Sequence, residues 1–548
     1  MPSITGASAV ARILKREGVE YVFCFPANSL IDAAAAVGIR PIIARSEKAL
    51  VNMADGYTRA TNGRRQAVIV VQQGPGIENA FGGIAQAHAD GIPLLVLPGG
   101  GNQRKLGIPT GFDPLPSYTP ITKWVDRINF VDRIPQQLRR AFTLLRAGAP
   151  SPVVLEVPQD IASAQVDEDS LEYVPVARRL SAGDPVAIAE AARALLAAKA
   201  PILHVGHGVL WAEATEELRE LAELVQAPVM TTMAAKSAFA ENHPLAAGVG
   251  GHTVTAAAAH FLKKADLVFG VGCSFSTGAF SYPIPAGKTM VQVTVNEFDI
   301  AKEYPIDVAV LGDARLVLSQ LVAEVKALIG DNGRRGEDAV VRELAAVKAE
   351  WLRQWMPRLT SDETPINPYR VIWELNNTLD RRESIVTHDS GNPRDQMLTF
   401  YEAVTPRGYL GWGKSTQLGT GLGIALGAKL AYPDKQVVNV MGDLAFGMAG
   451  MDVETAARER LPITTVLLNN SRMGGYAQSM PVASERFGSN RLSGRYSLVA
   501  EGLGAYSERI ERPEEIVPAL RRGMRANREG RPAVLEFVTR EDPVFSQY

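Results

Sequence analysis

Val440-Met441-Gly442-Asp443-Leu444-Ala445-Phe446, followed further on by Leu467-Leu468-Asn469-Asn470-Ser471-Arg472, decides how this chain is read. In each stretch an apolar, β-rich run stops abruptly at short polar residues. The runs begin near Gln436 and Ile463, with a helical pattern between them. Apolar strands alternating with helices belong to parallel sheets covered on both faces. Neighbouring parallel strands end at the same edge, so Asp443 and Asn470 should stand close together although 27 positions apart. Crevices at such edges are where open α/β sheets bind ligands. A carboxylate, an amide oxygen and a nearby main-chain carbonyl are hard oxygen donors suited to magnesium, with phosphate oxygens and water completing the shell.

Outward from this pair the same alternation fills the chain. The third block has strands predicted at 384–387, 436–440 and 463–468, with helices at 419–431 and 451–457. The first block has strands at 21–25, 41–44, 67–71, 94–97 and 153–157, with helices at 30–36, 49–60 and from about 79. A middle series has a helix at 185–198, strands at 202–205, 229–231, 267–271 and 290–295, and a helix after Asp313. This predicts an α/β protein of three consecutive Rossmann-like open parallel-sheet domains at 1–165, 186–345 and 366–548. The acidic stretch 166–185, with Arg179 and Gly183, is expected to be a linker. The charged helical stretch 337–354 and the proline-flanked 357–368 are expected to connect the last two domains.

A length of 548 residues suits three or four domains. Hydrophobic residues make up 46% and charged ones 21%, and 57 Lys and Arg against 59 Asp and Glu leave a net charge of -2. That composition excludes a broad basic footprint for nucleic acid or membrane surfaces, while leaving room for a local basic pocket. Cys24 and Cys273 cannot make a disulfide scaffold or thiolate cluster and are expected to be buried thiols. The amino-terminal stretch has no secretory pattern, and the apolar windows are too short for a bilayer, so a soluble cytoplasmic protein is expected.

These motifs resemble the thiamine-diphosphate-dependent enzymes, particularly the acetolactate synthase and 2-oxoacid decarboxylase group, over almost the full chain. Their Gly-Asp-Gly, then Asn-Asn, stands here as Gly442-Asp443-Leu444 and Asn469-Asn470, without the third glycine. The resemblance implies magnesium ligands at Asp443, Asn470 and the Arg472 carbonyl, with Gly442, Leu444 and Ala445 close to the diphosphate. It makes Asp389-Ser390-Gly391-Asn392 a second diphosphate loop, with Gly391 and Asn392 in contact, although an ordinary turn reads the same way. Gln417-Leu418-Gly419-Thr420 resembles the segment beneath the bent cofactor, which gives Leu418 the supporting role and the Thr416 carbonyl the 4'-amino contact.

Glu47, within Arg45-Ser46-Glu47-Lys48-Ala49-Leu50, resembles the glutamate that binds N1' of the aminopyrimidine and activates the cofactor. Gln73-Gly74-Pro75-Gly76 resembles the first glycine-rich loop. Gln73 departs from the usual small hydroxylated residue and is a candidate for substrate contact, while Asn79 supports the glutamate side of the pocket. Phe112 is a steric candidate for the substrate pocket, ahead of Lys123-Trp124. Asp113-Pro114 replaces the Gln-Glu of acetolactate synthases, and Asp113 reads either as pocket polar group or as turn residue. His88 reads as a buried polar contact and His388 as orienting the diphosphate loop. Gly206-His207-Gly208 and Gly270-Val271-Gly272 lack a full nucleotide fingerprint, leaving FAD, another nucleotide or no group for the middle domain.

The implied reaction is carbon–carbon lysis or carboligation on a 2-oxoacid or related carbonyl donor through an enamine. A simple 2-oxoacid decarboxylase and a 2-hydroxyacyl-CoA lyase are the alternatives, and a non-catalytic assembly protein is the remote one. The resemblance further implies a homodimer or homotetramer whose sites combine one subunit's Glu47 with another's Asp443.

Overall fold

The computed structural model describes residues 3–108, 111–278, 280–336 and 338–548. Met1 and Pro2 of the amino-terminal stretch and Glu337 of the charged connection lie outside the described residues. Three six-stranded sheets follow one another along the chain, and every pairing within them is parallel.

The first sheet runs Arg40–Ile43, Tyr21–Phe25, Val68–Val71, Leu95–Gly100, Val153–Pro158, Trp124–Arg127. The third runs Tyr409–Leu410, Ser384–His388, Gln436–Gly442, Ile463–Asn469, Ala533–Val538, Tyr506–Ile510. Numbered in chain order within each sheet, both read 2-1-3-4-6-5. The middle sheet reads 3-2-1-4-5-6, from Ala246–Gly250 to Val308–Leu311. That is the dinucleotide-fold order.

Several chain segments differ from expectation. Gln165–Asp167 pairs antiparallel with Ser3–Thr5, and Leu171 and Tyr173 are buried in the first core, so part of the expected linker is packed structure. The charged connection is one helix, Ala339–Leu359, which runs through Pro357. Leu344 is buried in the middle core and Trp355 and Leu359 in the third, so this helix is pinned at both ends. Both cysteines are buried, and burial pushes each thiol up to about 12.

The first and third sheets share a core. Helix Glu47–Ala60 lies against helix Thr420–Ala431, and Leu50, Met53 and Tyr57 join Leu422, Ile424 and Leu426 in one apolar cluster. Glycines make the approach possible. A Cβ on Gly427 would lie 1.9 Å from the Met53 carbonyl oxygen, and one on Gly56 would lie 2.1 Å from that of Ile424.

Gly427→Ala should therefore destabilise the protein by about 2 kcal/mol or more, because rigid backbone must move to admit one methyl. Gly502, where a Cβ meets nothing within 4 Å, is the control, and Gly502→Ala should be neutral. Denaturant unfolding of the two variants against the parent checks this, and equal stabilities would show that the helix contact is loose.

Candidate active site

Ser384–His388, Gln436–Gly442 and Ile463–Asn469 are neighbours in the third sheet, with His388 beside Val440 and Gly442 beside Leu468. The first two flank the point where strand order reverses, the usual place for a ligand crevice. Their following loops wall a cleft of about 390 Å³. Gly391, Asn392, Gly442, Asp443 and Asn470 line it, and so do Thr416, Leu418, Leu444, Ala445 and Arg472.

The polar groups there differ sharply in how well they are satisfied. Asp389 accepts from the amides of Ser390 (2.8 Å), Gly419 (2.9 Å) and Gly421 (2.8 Å), tying its own loop and the 419–421 segment to one carboxylate. Asp443 accepts from Leu444 N at 2.9 Å through Oδ1, whereas its Oδ2 is buried without a partner among the described residues. The Asn470 amide oxygen accepts from Arg472 N at 3.0 Å, which leaves it a second lone pair. Burial pushes both Asp389 and Asp443 up to about 6. An unmatched buried carboxylate oxygen beside an amide oxygen and a carbonyl fits a divalent cation. Gly391 has φ +85°, and a Cβ added there would meet nothing within 4 Å, so it offers bare backbone for close approach by a phosphate.

Leu418 is half-buried, lining the cleft while also packing against the shared core. Lys48 Nζ donates to its carbonyl at 2.8 Å. His388 is stacked on Trp412 (5.1 Å), whose Nε1 donates to the His388 carbonyl at 2.8 Å. Burial, aided by the nearby Arg394 charge, pushes the imidazole down to about 3, so it is neutral and structural.

Glu47, Gln73, Asn79 and Phe112 do not line this cleft. Glu47 begins its helix under the Ser46 cap, is 5% exposed, and its carboxylate has no partner among the described residues. Gln73 and Asn79 are exposed at the entrance of helix Pro75–Ala89, and Phe112 is exposed just before helix Pro114–Tyr118. Asp113 caps that short helix and pairs with Arg127 at 2.9 Å. Lys123 does not reach a pocket, because its Nζ donates to the carbonyls of Leu144 and Ala149, each at 2.9 Å. His88 meets the Ser151 hydroxyl at 2.8 Å.

Sequence reasoning missed Asp389 as the tie between loops, and Lys48, Gln86 and Asp90 as supports from the first domain. Their partners are distant in the chain, more than 300 positions away for the last three, and no local pattern marks them. In the middle domain, the loops after strands Pro201–Val205 and Leu267–Val271 are bonded together, Gly208 N donating to Gly272 O at 2.9 Å. They edge a second cavity of about 380 Å³, which His207, Cys273, Ser274 and Lys414 help to line. Among the described residues no group of three or more His, Cys, Asp or Glu is placed to hold a metal, and no helix is long and apolar enough to cross a membrane.

Three family descriptions match in chain order. "Thiamine pyrophosphate enzyme, N-terminal TPP binding domain" covers residues 4–120, the "central domain" 188–321 and the "C-terminal TPP binding domain" 389–537. The chain is 30% identical to the "Probable acetolactate synthase large subunit" of Methanococcus aeolicus, over 98% of this chain and 92% of that one. It is also 30% identical to the "Acetolactate synthase isozyme 3 large subunit" of Escherichia coli, over 97% and 94%. The "Acetolactate synthase large subunit" of Corynebacterium glutamicum is 30% identical over 98% and 87%.

Two aspartates that ionise near pH 6, well above the unfolded value of about 3.9, set a pH dependence. The folded state holds their protons more tightly than the unfolded chain. They therefore add stability to the ligand-free protein at low pH, and that share is lost as pH rises through about 6. Carbon-13 titration of the aspartate carboxyls should show two late midpoints, with Asp389→Asn and Asp443→Asn each removing one. Ordinary midpoints for both would show that the cleft is wet.

Proposed function

Since this chain belongs to the thiamine pyrophosphate enzyme family and is an enzyme of the carbon–carbon lyase or carboligase type, we propose that it acts on a 2-oxoacid or related carbonyl donor, with magnesium and thiamine diphosphate in the cleft around Asp443. The observation that carries this reading is the buried, partnerless Oδ2 of Asp443 beside Asn470 and the open backbone of Gly391. Bound thiamine diphosphate supplies a nucleophilic carbon and an electron sink.

In this reading Asp443, Asn470 and the Arg472 carbonyl ligate the metal, while Gly442, Leu444, Ala445, Gly391 and Asn392 hold the diphosphate. Leu418, which lines the cleft, would pack against the cofactor's rings. Glu47 holds N1' of the aminopyrimidine and directs its proton, and burial without a competing partner suits that task. Asn79 braces the glutamate side of the pocket. Gln73 and Phe112 face the donor and acceptor and set their size and polarity.

These four residues stand outside the cleft of their own chain, which supports a homodimer or a tetramer built from such dimers. Each site then combines Asp443 of one subunit with Glu47 of the partner subunit. The second cavity is the place for FAD or another nucleotide group, if the enzyme carries one. The cytoplasm is the proposed location.

Incubating the magnesium-loaded protein and thiamine diphosphate with 2-oxoacids, aldehydes and 2-hydroxyacyl-CoA thioesters, followed by product analysis, tests the reaction. Carboligation products are expected. Aldehyde alone would assign a simple decarboxylase, and thioester cleavage would assign an acyl-CoA lyase. No turnover of any donor, with cofactor bound, would sink the proposal.

A second test addresses the shared site. Glu47→Gln and Asp443→Ala should each lower activity by about 100-fold or more. Hybrid dimers formed by subunit exchange should regain activity, because one of their two sites is then free of either substitution. Verified hybrids without recovery would place both groups in one chain's site.

A further inference from the structure

Residues 411–418 bring Thr416 and Leu418 to the cleft, and their polar backbone is held mainly by side chains of the first domain. Arg59 Nη1 donates to the Gly411 carbonyl at 2.9 Å. The Asp90 carboxylate accepts from Gly413 N at 3.1 Å and Lys414 N at 2.9 Å. Gln86 Oε1 accepts from Gln417 N at 3.2 Å, and Lys48 fills the Leu418 carbonyl. All of these side chains stand on helices Glu47–Ala60 and Pro75–Ala89 or on the residue that ends the second.

Asp90 is the hub. It is 1% exposed and also accepts from Arg59 Nη2 at 3.2 Å and Gln86 Nε2 at 2.9 Å, so the same carboxylate orients the two side chains that hold Gly411 and Gln417. Thr416 has φ +56°, a left-handed conformation costly for a β-branched residue, which persists only where surrounding structure enforces it. Its carbonyl has no partner among the described residues, whereas those of Gly411 and Leu418 are taken.

We propose that Asp90 is a positioning residue which, given thiamine diphosphate in the cleft, locks residues 413–417 so that the Thr416 carbonyl is kept free to accept from the exocyclic amino group of the aminopyrimidine. The geometry separates two halves of the binding site. Asp443, Asn470 and the diphosphate loops have no contact with Asp90, so the metal–diphosphate end should be indifferent to it. Only the pyrimidine end should feel its loss. In Asp90→Asn one acceptor oxygen becomes an NH₂ that faces the N–H donors of Arg59, Gln86 or Gly413, and the lock loosens without a change in side-chain volume.

Calorimetry on the full-length protein in magnesium, with thiamine diphosphate and with inorganic pyrophosphate as separate ligands, distinguishes this from a merely structural role. Asp90→Asn should weaken thiamine diphosphate binding by about tenfold while leaving pyrophosphate affinity within about twofold of the parent. Gln86→Leu, which releases Gln417 N and one Asp90 donor, should show the same pattern to a smaller degree and stands in if the Asp90 variant fails to fold. Equal loss of both ligands, or no loss of either, in a folded variant would overturn the positioning role. Failure of the parent itself to bind thiamine diphosphate would instead bring down the functional reading, and so the two failures are told apart.

Discussion

Backbone-to-backbone contact between helices Glu47–Ala60 and Thr420–Ala431 is the constraint on which the rest of the molecule depends. At Gly56 and Gly427 there is no room for a methyl group, so the close approach of the two helices depends on these positions. A helix advances about 1.5 Å per residue, and a slip of one turn would carry Lys48 some 5 Å from the Leu418 carbonyl it now holds. The same register sets the start of the helix, where Asp452 of the third domain accepts from Arg45 N at 2.9 Å, two residues before Glu47. Apolar packing and site geometry are therefore one problem with one solution.

Within that frame the buried carboxylates are treated in opposite ways. Asp389 and Asp90 are surrounded by amides and side-chain donors that pin neighbouring loops. Asp443 keeps one oxygen without a hydrogen bond among the described residues, with the Ser471 and Arg472 amides nearby favouring its charge. Folding tolerates few such atoms, because an unmet buried polar group costs about 1–3 kcal/mol. Asp443 lines a glycine-edged cleft together with Arg394 and Gln396, which also carry partnerless buried atoms.

How much of this could be read beforehand follows from locality. Central strands such as Leu267–Val271 and Ile463–Asn469 are largely apolar runs and announce themselves. The unrecognised strands are mostly at or next to sheet edges: Trp124–Arg127 carries charges, Ala246–Gly250 is small and glycine-rich, and Tyr409–Leu410 is only two residues long. Gly442-Asp443 and Asn469-Asn470 were readable because each motif sits at the end of its own strand. Asp90 was not, since an Asp-Gly pair after a helix looks like any helix ending, and the amides it holds lie more than 300 positions away. Asp113 offered two readings, and its pairing with Arg127 was not legible because only the folded sheet brings the two together.

The shared core also bears on how the protein is made. Helix Glu47–Ala60 leaves the ribosome well before the helix that covers it, which begins only at Thr420. At about 5–20 residues per second, its apolar face waits on the order of 20–70 s for Thr420–Ala431 to be synthesised. During that interval the strip of helix around Ala49, Asn52, Met53 and Gly56, against which Gly423, Ile424 and Gly427 later pack, stands open to solvent. Slow decoding of the middle domain lengthens the time for which that strip stands open.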